Sequence, residues 1–238
     1  MDDLAGFAPT LSPTAARPLL GMTILVVEDS LYACDAMRLM CLHSGARIRR
    51  ADCLRSARRH LQVYRPSAVV IDVGLPDGSG VELIRELANA RPRVISILAT
   101  SGEDTARVAA LAAGADGFLP KPVLNLGTFQ QAVLATLPED RRPSGPRVVR
   151  DELISPDPMA YRDDMIHVSN LLDASPDKRV VRYLAQFICG VARSAEDAQL
   201  AAAATALSEA GSDGSGLDTR LARVAGLVQE RLNDRAVM

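Results

Sequence analysis

The chain has 238 residues, 48% of them hydrophobic and 24% charged, with a formal net charge of −2. That length supports one large domain or two modest ones, each able to bury a core of its own. The balanced charge excludes a polycationic surface of the kind that holds nucleic acid or anionic lipid.

Residues 1–21 are broken by prolines and show no apolar period, which predicts a disordered tail. Thr23–Val27 is a short run, nearly all apolar, as expected of a parallel strand buried on both faces. Ser30 then caps a helix that runs through His43 and ends at Gly45. A second strand around Ile48 follows, then a helix marked by Leu54, Ala57, Arg58 and Leu61 and closed by Pro66. AVVID (Ala68–Asp72) is the next buried strand, followed by the turn-rich GLPDGSG. Helix Val81–Ala90, strand Val94–Ala99, helix Thr105–Ala113, strand Gly117–Leu119 and helix Leu126–Leu137 complete the alternation. Five strand–helix repeats with short connections and right-handed crossovers predict a five-stranded, parallel, doubly wound α/β domain over 22–137.

Beyond a linker at 138–150, opened by PEDRRPSGP, the period becomes helical. Four amphipathic helices are expected within 151–238: one opened by Ser155 and Pro156 and running to Asp173, then Asp177–Ser194, an Ala-rich stretch over 195–210, and Leu217–Leu232. Their apolar stripes predict an all-α domain, a small bundle closed either internally or by a second protomer, so a homodimer is one expected partner. No apolar run is long enough for a membrane span or a leader peptide, and the expectation is a cytoplasmic protein with no membrane partner. Cys34, Cys41, Cys53 and Cys189 show no metal-ligand spacing and do not cluster with the three histidines, which argues for reduced thiols rather than zinc.

In an open parallel sheet, functional groups gather beyond the C-terminal strand ends. The first strand here ends in Glu28–Asp29, the third in Asp72 and the fourth in Thr100–Ser101, while the fifth leads into Lys121–Pro122. A lone Asp at a strand end is commonplace; acids, a hydroxyl and a Lys on four strand ends are not. Lys121 is one of only two lysines among 27 basic residues, which makes its position more informative. Three carboxylates close together repel one another, and a hard divalent cation such as Mg²⁺ relieves that repulsion. With Lys121 and Thr100 added, the set can stabilise a transferring phosphoryl group while an Asp oxygen attacks phosphorus in line. The product would be an acyl phosphate on the protein itself, with no separate enzymatic domain.

ILVVEDS, VVIDVGLPDGSG, ILATSG and AGADGFLPKP, in that order and spacing, resemble the receiver domain of bacterial response regulators, covering residues 23–137. The resemblance implies a flavodoxin-like fold with Asp72 as phosphoacceptor. It implies a Mg²⁺ site formed by Asp29 directly, Glu28 largely through water, Asp72, and the carbonyl of Gly74. Thr100 would be the switch hydroxyl, Phe118 the aromatic that moves with it, and Lys121 the phosphate partner, with a cis Lys121–Pro122 bond. The implied partner is a sensor histidine kinase or a phosphotransfer protein. Gly74 departs from the commonest pattern, because it offers no side chain to hinder or orient an attacking water.

The helical half carries no motif that resembles a known family. Residues 145–238 carry 11 basic and 14 acidic residues, and no helix presents a basic face, which argues against nucleic acid as a partner. The leading expectation is output through contacts with a further protein. A second reading makes His167 a phosphotransfer residue, since it lies about 130° from the stripe of Tyr161, Met165, Val168 and Leu172 and should face solvent. A third is a transcriptional regulator with an atypical DNA-binding domain.

Overall fold

The computed structural model describes residues 12–103, 105–145, 147, 149, 151–174, 176–213 and 216–234. The α/β half comprises β1 (Thr23–Val27), α1 (Leu31–Ser44), β2 (Arg47–Ala51), α2 (Leu54–Val63), β3 (Ala68–Asp72), β4 (Gly74–Leu75), β5 (Gly78–Ser79), α3 (Gly80–Asn89), β6 (Ser96–Ser101), α4 (Ala106–Ala112), β7 (Gly117–Pro120) and α5 (Leu126–Ala135). A 3-10 turn at Glu139–Arg141 precedes α6 (Pro158–Asp173), α7 (Lys178–Ser194), α8 (Ala198–Asp213) and α9 (Leu217–Asp234).

The main sheet is parallel throughout, in the order β2-β1-β3-β6-β7, so the expected doubly wound fold is present. Strand side chains alternate between its faces. Ile24, Val26, Ala68, Val70 and Leu98 point to the side of α1 and α5, where Met37, Met40, Phe129 and Val133 cover them. Leu25, Val27, Val69, Ile71, Ile97 and Ala99 point to the other side, under Leu54, Ala57, Leu83, Ile84, Leu87 and Ala110. β3 is buried along its whole length, which accounts for its unbroken apolar run. Pro120 sits on the edge strand β7, where its missing N–H leaves no ladder partner wanting.

Local signals behave as the sequence suggests. The Ser30 side chain accepts from Ala33 N to open α1, and Gly45 closes it at φ 83°, a left-handed conformation that glycine adopts without strain. Lys121–Pro122 is cis, as is Arg91–Pro92. Two expectations are corrected. The fourth strand begins at Ser96 rather than Val94, because the Val94 carbonyl is taken by the Arg93 guanidinium before the ladder starts. The two-residue strands β4 and β5, which pair antiparallel within GLPDGSG, were not expected. Of the expected tail, 1–21, residues 1–11 lie outside the described residues. Of the remainder, residues 12 and 14–17 are exposed, but Pro18 and Leu19 are buried, Leu19 wholly within the core with its N–H donating to Ser44 O at 2.9 Å.

The four C-terminal helices close their stripes on one another. Met165, Val168, Leu184, Ile188, Leu200, Ala204, Leu207, Val224 and Val228 form one buried cluster, so the bundle core needs no second protomer. The small residues of α8 face inward, Ala203 and Ala204 being buried, and permit its close approach to α7. Among the described residues no helix is long and apolar enough to cross a membrane. Cys34 and Cys41 are buried, and burial pushes both thiols up to about 12; Cys53 and Cys189 are half-buried, and all four are free.

The two halves are joined by more than the chain. Residues 152–154 run beside the loop before α5, with Leu126 N donating to Glu152 O and Ile154 N to Leu124 O, and Ile154 enters the α/β core. The bundle then rests across the C-terminal ends of the strands, with α6 against α1 and α7 against α1 and β4.

Candidate functional site

β1 and β3 are neighbours, and the chain departs from them in opposite directions, so their C-terminal ends flank the switch point of the sheet. Glu28 and Asp29 follow β1, and Asp72 ends β3. Ligand oxygens of the three carboxylates lie within 4.8 Å of one another. Asp72 stands opposite Thr100 in the β3–β6 register. Gly80 is required here: a Cβ on it would overlap the Asp72 carbonyl.

Lys121 follows β7, its N–H donating to Ser101 O at 2.9 Å. Its Nζ reaches back to Asp72 Oδ2 at 2.7 Å and to Glu28 at 2.9 Å (Oε1) and 2.7 Å (Oε2). Burial opposes the ammonium charge, but the Asp72 and Glu28 carboxylates outweigh it and hold Lys121 above its ordinary value. Burial likewise lifts Glu28 well above the carboxylate range, against the pull of Lys121. Asp29 is pushed up to about 7 by burial and by the Asp72 charge, which a hydrogen bond from Tyr183 only partly offsets.

One ammonium facing three carboxylates leaves net negative charge in a poorly solvated cleft. Oxygen donors so placed, with Asp29 and Asp72 at its mouth, fit a hard divalent cation. Thr100 Oγ1 is buried and has no hydrogen-bond partner among the described residues, so a donor is held ready on the strand beside Asp72. Phe118 is half-buried and packs against the cluster beneath α3 and α4. Gly74 N donates to Asp72 Oδ1 at 3.2 Å. Of the expected set, Glu28, Asp29, Asp72, Gly74, Thr100 and Lys121 therefore come together at one end of the sheet, and Phe118 sits on the adjacent edge strand.

His167 does not enter that set. It is exposed on α6, its ring 5.6 Å from that of Phe187, and Tyr183 stands between it and Asp29. Burial on its inner side lowers its pKa.

Five residues of the helical half that were not expected meet the site or its rim. The Tyr183 hydroxyl donates to Asp29 Oδ2 at 2.7 Å. Burial, and then the Asp29 charge, raises the Tyr183 pKa, so the proton stays on the phenol. Asp164, 2% exposed, accepts from Ser30 Oγ (2.8 Å), Leu31 N (2.8 Å) and Tyr32 N (3.1 Å), completing the cap of α1 from the bundle. Burial pushes its carboxyl up to about 6 against those three bonds. Gln186 and Gly190 of α7 line the same narrow cleft, whose free space of about 10 Å³ is that of a single water, with Glu28, Asp29, Asp72 and Lys121. Arg193 closes one side through Nη1 to Gly102 O at 2.7 Å. Asp164 left a trace in the sequence, an acid inside the apolar stripe of its helix; Tyr183 and Gln186 left none.

A family model for the response regulator receiver domain matches residues 24–133. The KDP operon transcriptional regulatory protein KdpE of Escherichia coli (strain K12) is 32% identical over 114 residues, 48% of this chain and 50% of that protein. The response regulator MprA of Mycolicibacterium vanbaalenii is 35% identical over 100 residues, covering 42% and 43%. The chain thus spans about half the length of the curated relatives it matches. Among solved structures, a putative response regulator from Chloroflexus aurantiacus J-10-fl is 28% identical with a TM-score of 0.40, covering 42% of this chain and 85% of that one. The receiver domain of sensor histidine kinase PA1611 from Pseudomonas aeruginosa PAO1, solved with a magnesium ion coordinated in its active site cleft, is 26% identical with a TM-score of 0.43, covering 47% and 93%. The family model stops short of the helical half. Residues 24–133 of this chain are a response regulator receiver domain.

Proposed function

We propose that Asp72 accepts a phosphoryl group from a phosphohistidine on a sensor histidine kinase or phosphotransfer protein, and that the helical half passes that state on by protein–protein contact. The observation that carries this reading is Asp72 held 2.7 Å from Lys121, beside a buried Thr100 hydroxyl with no partner among the described residues.

An Asp72 carboxylate oxygen attacks phosphorus as the P–N bond to the donor imidazole breaks, and its electron pair returns to that ring. Lys121 balances charge on the phosphoryl oxygens, and Thr100 donates to one of them. Glu28, Asp29, Asp72 and the Gly74 carbonyl are the groups that would hold Mg²⁺, which supplies charge neutralisation at the transferring group. Thr100 drawn toward the phosphoryl group vacates space that Phe118 takes, altering the surface of α4, β7 and α5.

The test is the intact mass after incubation with a small phosphodonor and Mg²⁺. A gain of one phosphoryl group, abolished in Asp72→Asn, is expected; no gain, or an equal gain in the variant, overturns the reading. Output through DNA, as the names of several relatives suggest for those proteins, has less support: their similarity covers only the receiver, and residues 145–238 are net acidic. A relay through His167 would leave acid-labile phosphohistidine, and its absence under phosphorylating conditions removes that alternative.

A further inference from the structure

Asp72 is followed two residues later by Gly74, where the receiver offers no side chain to the phosphoryl site. The structure fills that gap from elsewhere in the chain. A Cβ built on Gly74 would lie 2.5 Å from Cδ and Oε1 and 2.7 Å from Nε2 of Gln186. The space of a residue-74 side chain is therefore held by an amide from α7. That amide borders the cleft containing Glu28, Asp29, Asp72 and Lys121, and among the described residues it makes no hydrogen bond.

Its neighbours hold α7 in place over the site. One turn earlier Tyr183 bonds Asp29, and further along Arg193 bonds the Gly102 carbonyl. Gly190 lies over the Lys121 stem, whose Cδ is 3.8 Å from a Cβ built on that glycine. An uncharged amide between two anchored contacts is suited to water: its oxygen accepts from a water proton while its N–H₂ donates to a phosphoryl oxygen. A carboxylate in this position would repel the phosphoryl group, and an aliphatic chain would exclude water.

We infer that Gln186 completes the phosphoryl site in cis, orienting the water that hydrolyses the acyl phosphate, so that the helical half sets the lifetime of the receiver's signal. The inference rests on Asp72 being the phosphoacceptor. In the step, water oxygen bonds to phosphorus and the P–O bond to Asp72 breaks. The bonding pair returns to the Asp72 carboxylate, and the water protons leave with inorganic phosphate or to solvent. The Gln186 amide accepts no proton; it orients.

The full-length chain is loaded with acetyl phosphate and Mg²⁺, freed of donor, and followed by intact mass as the phosphoryl group is lost. Gln186→Ala should slow that loss about 100- to 1,000-fold, the range for removing one positioned hydrogen-bonding group at a transition state, and slow it by more than it alters loading. Gly74→Asn supplies a second readout. Gly74 is not among the positive-φ glycines, so its backbone accepts a side chain once the amide is gone. Gly74→Asn in the Gln186→Ala background should restore loss toward the wild-type rate, whereas Gly74→Asn alone should weaken docking of α7. Loss in Gln186→Ala within twofold of wild type, or loading and loss changing equally, overturns the role of Gln186 while leaving Asp72 as acceptor. If the wild type gains no phosphoryl mass at all, the reading of Asp72 falls, and this inference falls with it.

Discussion

Replacing Asp164 by Ala removes the acceptor for three donors at the start of α1, two of them backbone N–H groups with no partner inside the helix. The carboxylate also faces the positive end of that helix, which adds to its hold. Counting about 1 kcal/mol for each hydrogen bond lost, the variant should weaken docking of the bundle by about 3 kcal/mol. That corresponds to a shift of on the order of 100-fold in the equilibrium between docked and undocked forms. None of the three hydrophobic clusters loses a side chain in this variant, so the secondary structure, and with it far-UV circular dichroism, should be retained. Native-state hydrogen exchange reads the effect: the amides of Leu31 and Tyr32, and those of α7, should lose protection together. Asp164→Asn, which keeps one acceptor oxygen, should fall between the variant and wild type. Protection at Leu31, Tyr32 and α7 within threefold of wild type in Asp164→Ala would refute the latch.

Lys121→Met leaves Glu28 and Asp72 buried without their shared counter-charge, so stability measured by thermal unfolding without Mg²⁺ should fall by about 3–5 kcal/mol. Added Mg²⁺ should recover part of that loss; an unchanged melting temperature in its absence would contradict the electrostatic account. Ile188→Ala hollows the bundle core and should cost about 2–5 kcal/mol in urea unfolding, with a loss under 1 kcal/mol arguing against an internally closed bundle. Asp197 accepts from Leu200 N, Tyr161 Oη and Arg231; burial raises its pKa, but Arg231 and the cap outweigh it and hold the group below its ordinary value of 3.8. Its stabilisation is thus present above that value and lost as pH falls through the depressed one. Asp197→Asn should accordingly flatten the fall in urea stability between about pH 4 and pH 2, and identical pH slopes would count against the assignment.

The α/β half was legible because its central strands are buried on both faces and its candidate site residues sit at strand ends. Buried strands read as apolar runs, as in AVVID, and strand-end residues such as Asp29, Asp72 and Thr100 are placed by topology alone. Helix limits followed from local chemistry, with Ser30 and Gly45 marking α1 within a residue. The start of β6 did not, since it depends on the Arg93 side chain capturing a carbonyl. Amphipathic stripes in α6 to α9 announced helices but not what would cover them, because a stripe is the same whether its partner lies in the chain or outside it. Tyr183 and Gln186 were illegible for a related reason. Their roles come from the docking of two folded surfaces, and nothing near them in sequence encodes Asp29 or Gly74. Asp164 was readable in principle, since a buried acid in an apolar stripe demands donors, and it found them in α1.

The hydrogen bond from Tyr183 to Asp29 spans 154 residues of sequence. During synthesis the receiver, with Asp29, Asp72 and Lys121, leaves the ribosome before any of α7 has been made. Asp72 and its counter-charges are therefore assembled while the cleft still opens to solvent, and the cover arrives after them. Chains before and after α7 is made thus present different faces to solvent. A chain cut after the receiver would keep that nascent face permanently, with Asp29 and the first turn of α1 each missing a partner that the helical half supplies.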